Sequence, residues 1–202
     1  MGKKICGVIY SNFLKHSILN KGVYRFMQEA EVSLRVALHF IMNGITKENV
    51  KVSLDGAHIK TGNQVHFDIF KFLSDNQCHK LDLDGNRWQG IYQVQDFDAK
   101  LEIVSSPGIG DVNIKLSDGK SLYVENKKGR ADKKGQEYPL MREAIGQLMT
   151  GVEITESIVP VVAVPFSEKS YKLATRWAKL EQMKNVGIKF FLVKEEGKIV
   201  VV

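Results

Sequence analysis

Three residue types at two short spacings could do chemistry in this chain. Asp111 stands in the run GDVNIKL (110–116), and Glu125 and Lys127 stand two apart in SLYVENK (121–127). Both runs alternate apolar and polar residues, the period of a half-buried strand. Along the first, Asp111, Asn113 and Lys115 oppose Val112, Ile114 and Leu116; along the second, Ser121, Tyr123, Glu125 and Lys127 oppose Leu122 and Val124. The turn decides whether the two polar faces coincide. A two-residue turn would set Asp111 against Asn126 and leave Glu125 on the wrong side. A three-residue loop, Ser117-Asp118-Gly119, sets Leu116 against Lys120 and Asp111 against Glu125, and ends on a glycine as such loops prefer. This second register is the expected one. It brings opposed Cβ atoms to roughly 5 Å.

Two carboxylates so placed repel, and a sheet tolerates them only with compensation. Hard oxygen donors with no His or Cys beside them favour Mg²⁺, with Mn²⁺ as a substitute, over Zn²⁺. Such an ion polarises a phosphodiester and activates water, and a nearby lysine stabilises developing charge. The strand then runs into ENKKGRADKKGQ, where Lys128, Arg130, Lys133 and Lys134 crowd together with Lys127. A net charge of +6 and a pI of about 9.2 likewise suit a polyanionic partner.

The elements that must hold these residues follow from periodicity. Residues 24–43 read as a helix with Phe26, Met27, Ala30, Leu34, Ala37, Leu38 and Ile41 in one stripe, ended by Asn43-Gly44. At about 100° per residue Glu31 falls on the flank of that stripe and Glu29 points to water. Residues 50–97, broken by Asp55-Gly56, Thr61-Gly62-Asn63 and Asp84-Gly85-Asn86, read as a β-rich elaboration of short strands and turns. From residue 98 the pattern is orderly: strand 99–106, the two strands above, a helix that starts at Pro139 with Gly151 past its end, a continuous apolar strand IVPVVAVP, an amphipathic helix over 167–185 with Leu173, Trp177 and Leu180 inward, and two final strands. This is an α/β chain with a central mixed sheet flanked by helices.

The 202 residues suffice for one domain, so residues 1–202 are expected to form a single unit. No apolar run is long enough to span a membrane, and the opening residues are too broken for a secretory segment. Two cysteines are too few for a disulfide framework or a cysteine-rich zinc site, so a cytoplasmic setting with reduced thiols is expected. Cys78-His79 has no second pair at ligand spacing. His58 and His66 read as solvated residues of the elaboration, Trp88 and Tyr92 as core, and Lys169, Lys172, Arg176 and Lys179 as a wet helix face.

An acid on one strand followed by Glu125-Asn126-Lys127 on the next resembles the PD-(D/E)xK nuclease superfamily, the restriction-endonuclease-like fold. The order helix, three-strand meander, helix, strand is similar too, over helix 24–43, strands 98–127, helix 139–150 and strand 158–165. The resemblance covers about half the chain, and Gly110 stands where the family often has Pro. It implies an Mg²⁺-dependent endonuclease acting on DNA. It makes Asp111, Glu125 and Lys127 the catalytic set and Asp111, Glu125 and Asn126 the metal ligands. Glu31 is the acid expected from the first helix, and Gln147 the glutamine some branches carry on the second. Lys128, Arg130, Lys133, Lys134 and Gln147 would contact nucleic acid. A branched-DNA or RNA substrate, a binding protein without catalysis, and a homodimer stay open at this point.

Overall fold

A computed structural model of the chain describes residues 27–82, 87–106, 108, 110–129 and 135–202. Its frame follows from two kinds of apolar surface. The helix α1, Glu29–Met42, is buried at Ala30, Val32, Leu34, Val36, Ala37, Leu38, Phe40 and Ile41. A helix apolar nearly all round must be covered on more than one side. One face of a sheet supplies the first cover, and residues of the segment 54–99, Phe72 among them, supply the other. Several strands alternate buried residues with more exposed ones, and so sort their side chains onto two faces.

The strands are β1 (Val50–Ser53), the small hairpin β2 (Lys60–Thr61) and β3 (Gln64–Val65), β4 (Cys78–Lys80), β5 (Gly90–Val94), β6 (Lys100–Val104), β7 (Val112–Lys115), β8 (Ser121–Asn126), β9 (Ile158–Pro165), β10 (Lys189–Val193) and β11 (Ile199–Val201). All but the hairpin join one nine-stranded mixed sheet in the order β11-β10-β9-β8-β7-β1-β6-β5-β4. Val50, Val52, Val112, Ile114, Leu122, Val124, Val161 and Ala163 pack with α1 in one core. Val162, Val164, Phe190 and Leu192 pack in a second core with α3, Glu137–Gly151, and α4, Glu168–Trp177. The α/β class with a large mixed sheet flanked by helices thus stands. Among the described residues no helix is long and apolar enough to cross a membrane.

Five expectations need correction. Strand 99–106 is not the neighbour of the Asp111 strand: β1 lies between them, parallel to β6 and antiparallel to β7. Val50 and Val52, on one face of β1, are fully buried, and its backbone is paired along both edges. The stretch 50–97 is therefore not an appendage: β1 is central, while β4 and β5 extend one end of the sheet. The same stretch also contains a helix, α2 (Ile69–Asp75), whose Asp68 cap accepts the Lys71 N–H at 3.0 Å. The first helix starts later than expected because Met27 is extended and bridged to Gly129. The helix over 167–185 is broken: α4 ends at Trp177 and α5, Glu181–Val186, starts after Leu180, which is extended and 39% exposed instead of inward. The Asp84-Gly85-Asn86 turn and Cys6 lie outside the described residues.

Candidate active site

The hairpin adopts the three-residue loop. Val112 pairs with Val124, Asn113 with Tyr123, Ile114 with Leu122 and Lys115 with Ser121, and the Leu116 N–H donates to Lys120 O at 2.8 Å. Gly119 closes the loop at φ +84°, in the left-handed region that glycine occupies without strain. Beyond Val112 the ladder is irregular. Gly110 sits at φ +72°, and a Cβ there would lie 3.1 Å from Val124 O. The Asp111 N–H donates to Val124 O, and its carbonyl accepts the Ser53 N–H, both at 2.8 Å. One more backbone group finishes the restraint: the Asn126 N–H donates to Asp111 Oδ2 at 2.7 Å. Asp111 is thus fixed by β8 on one side and by the end of β1 on the other.

Lys127 is positioned from the opposite edge. Its N–H continues the β8–β9 pairing to Ala163 O at 2.9 Å. Two residues on, Gly129 passes so close to Pro165 that a Cβ would meet Cγ at 2.8 Å. Lys127 is 4% exposed. Its Nζ donates to Glu125 Oε1 at 3.2 Å and lies 3.4 Å from Glu143 Oε1 of α3.

These groups meet in one pocket, also lined by Glu29, Ala30 and Ser33 of α1, Ser53 and Leu54 at the end of β1, Asp55, His58 and Gln147. Asp111, Glu125, Lys127 and Gln147 are together as the sequence led one to expect. Burial, then the Glu125 charge and more weakly Glu29, push the Asp111 carboxyl up to about 7, against the Asn126 hydrogen bond and Lys127. Burial also raises Glu125, although Lys127 opposes it. Burial pulls Lys127 down, but Glu29, Glu125 and Glu143 outweigh it and hold the ammonium above the usual lysine range.

Glu31 and Asn126 do not line the pocket. Glu31 is 3% exposed and accepts from Arg35 Nε and Nη2 at 3.0 and 2.8 Å; that guanidinium lies 5.3 Å over the Phe72 ring of α2. The acid of α1 that enters the pocket is Glu29, the residue expected in water. The stripe argument assumed one buried face, and α1 has cover on more than one. The Asn126 side chain alternates with Glu125, so it shares the fully buried face of Leu122 and Val124, with neither amide atom hydrogen-bonded among the described residues. Its backbone N–H, not its side chain, meets Asp111.

Sequence reasoning also missed the wall formed by Asp55 and His58. Asp55 Oδ1 caps a 3₁₀ turn, Gly56–His58, by accepting the Ala57 N–H at 2.9 Å. His58 is half-buried, with Nδ1 3.7 Å from Glu29 Oε1. The Asp55-Gly56 signal marks a turn, but nothing local tells which distant strand the turn will face. Lys128 is half-buried and makes no ion pair among the described residues; Arg130, Lys133 and Lys134 lie outside them. Cys78 is buried in the core, which pushes its thiol up to about 12. No family model, curated protein or solved structure matches the chain.

Proposed function

We propose that the chain is a divalent-cation-dependent endonuclease that hydrolyses DNA phosphodiester bonds and is similar to the PD-(D/E)xK nucleases. The observation that carries this reading is the half-buried pair Asp111 and Glu125, bordered by Lys127 in one pocket. The order α1, β1, β7, β8, α3, β9 supports it. Three antiparallel strands follow a helix, and after a second helix β9 lies parallel to β8. That order is similar to the family core, with residues 54–111 intervening between β1 and β7.

Among the described residues no group of three or more His, Cys, Asp or Glu side chains forms a finished ligand shell. The fit of a cation therefore rests on the pair itself. Its oxygens are hard donors, and an Mg²⁺ or Mn²⁺ ion takes one or two protein carboxylates readily. Asp111 and Glu125 would hold it. When bound it would offset their repulsion and polarise a phosphodiester. Lys127 stays protonated and presents its charge where negative charge develops on the phosphoryl oxygens. Gln147 offers an amide donor at the exposed edge, and Lys128 with the basic stretch after it supplies backbone contacts to DNA.

Four carboxylates, Glu29, Asp55, Asp111 and Glu125, line the pocket with one lysine. Such a surface repels a polyanion unless a cation is present, which weighs against a binding protein that works without metal. The test is incubation of plasmid, single-stranded DNA, a four-way junction and RNA, each with Mg²⁺ and with EDTA. Cleavage of DNA is expected with Mg²⁺ only, and Asp111→Asn and Glu125→Gln should each remove it. Full activity in either variant would sink the site. DNA bound intact and equally well in EDTA would make the protein a binder.

A further inference from the structure

Hydrolysis of a phosphodiester leaves an alkoxide, which departs readily only if something gives it a proton or offsets its charge. Few groups in the pocket can supply the proton. Lys127 is held above its usual range by Glu29, Glu125 and Glu143, so it parts with its proton reluctantly. Asp111 and Glu125 are occupied with the cation in the reading above. Asp55 uses an oxygen to cap the turn that carries His58. An imidazole ordinarily exchanges its proton near neutral pH and suits general acid work.

His58 has the mounting that such a role needs. Its turn is closed by the His58 N–H donating to Asp55 O at 3.0 Å, and its Nδ1 faces Glu29 Oε1 at 3.7 Å. A carboxylate beside one ring nitrogen orients the imidazole. That leaves Nε2, which makes no hydrogen bond among the described residues, for another partner. Glu29, Asp55, Asp111, Glu125 and Lys127 are the charged groups sharing this pocket.

We propose that His58, oriented by Glu29, is the proton donor to the leaving oxygen, a role that rests on the nuclease reading. In that step the water oxygen forms the new bond to phosphorus. The bond from phosphorus to the leaving oxygen breaks, its electron pair stays on that oxygen, and the proton on Nε2 passes to it. The proton lost by water goes to solvent, and solvent reprotonates the imidazole.

A duplex with sulfur in place of the leaving oxygen at a mapped cleavage position tests this, because a thiolate leaves without a proton. Both duplexes are assayed in Mn²⁺. His58→Ala and His58→Gln should cut the oxygen duplex about 100-fold more slowly than wild type, yet cut the sulfur duplex within about threefold of it. Lys127→Met should stay slow on both. His58 variants equally slow on both duplexes would show that the ring holds structure or DNA and overturn the proposal. Variants as fast as wild type on the oxygen duplex would overturn it while leaving the nuclease reading intact. A wild-type chain that cuts neither duplex would end both.

Discussion

Removing the charge at Asp111 should make the metal-free protein more stable at neutral pH, and only there. In the folded chain this carboxyl holds its proton up to about pH 7, whereas its ordinary value is 3.8. Between those limits the folded state binds more protons than the unfolded one, so stability falls as pH rises through the window. At about 1.4 kcal/mol per pKa unit the full shift corresponds to about 4 kcal/mol. The pocket opens to water, so screening reduces the expected effect to about 2 kcal/mol. For a chain of this size that is about 6 °C in Tm. Asn at this position can still accept the Asn126 N–H, so the hydrogen bond at 2.7 Å survives the substitution. Denaturant unfolding of wild type and Asp111→Asn in EDTA should therefore agree near pH 4 and diverge by pH 8, with the variant more stable. Mg²⁺ at pH 8 should stabilise wild type and leave the variant unchanged. An equal gain at both pH values, or a variant less stable at pH 8, would refute the claim that the folded site holds an uncompensated charge.

Other outcomes follow from the same geometry. Lys127→Met, which preserves the buried stem, should lower kcat about 10²–10³-fold while DNA affinity changes little, as single-turnover rates and binding isotherms would show. Glu31→Gln should lower stability by about 2 kcal/mol through its pair with Arg35 and leave cleavage by the folded protein intact, whereas Glu29→Gln should slow cleavage with little change in Tm. Asn126→Val should raise stability by about 2 kcal/mol by removing two buried amide atoms without partners, and should keep Mg²⁺-dependent cleavage; loss of cleavage would return the amide to the site.

What was legible in the sequence was whatever neighbouring residues decide. The β7–β8 register rests on alternation and on Gly119 in one loop, all within 17 residues, and it placed Asp111, Glu125 and Lys127 correctly. The strand β9 was legible because it is apolar along its whole length, as a strand covered on both faces must be. The place of β1 was not legible, since the short connection from β6 to β7 reads as a hairpin and only the tertiary structure shows it stepping over β1. The phase of α1 failed for a related reason. Periodicity locates one buried face, and α2, which arrives 27 residues after the end of α1, covers Arg35 and so takes Glu31 away from the site.

The same topology explains why the missed residues belong to the pocket. β1 and β7 are antiparallel neighbours, so the end where the chain leaves β1 is the end where it enters β7. The Ser53 N–H bonded to Asp111 O marks that point. Whatever lies between the two strands must leave from the pocket and return to it. Asp55 and His58 come first along this path and Gly108 and Gly110 last; in between, the segment lays α2 against α1 and adds β4, β5 and β6 to the sheet. A Cβ at Gly108 would meet Ser53 Oγ at 2.6 Å, so departure and return are packed against each other. Changes within 54–109 can therefore reshape one wall of the pocket while the hairpin carrying Asp111, Glu125 and Lys127 keeps its register. On the proposed reading, substrate choice resides in that segment and the chemistry in the hairpin, and His58 is where the two meet.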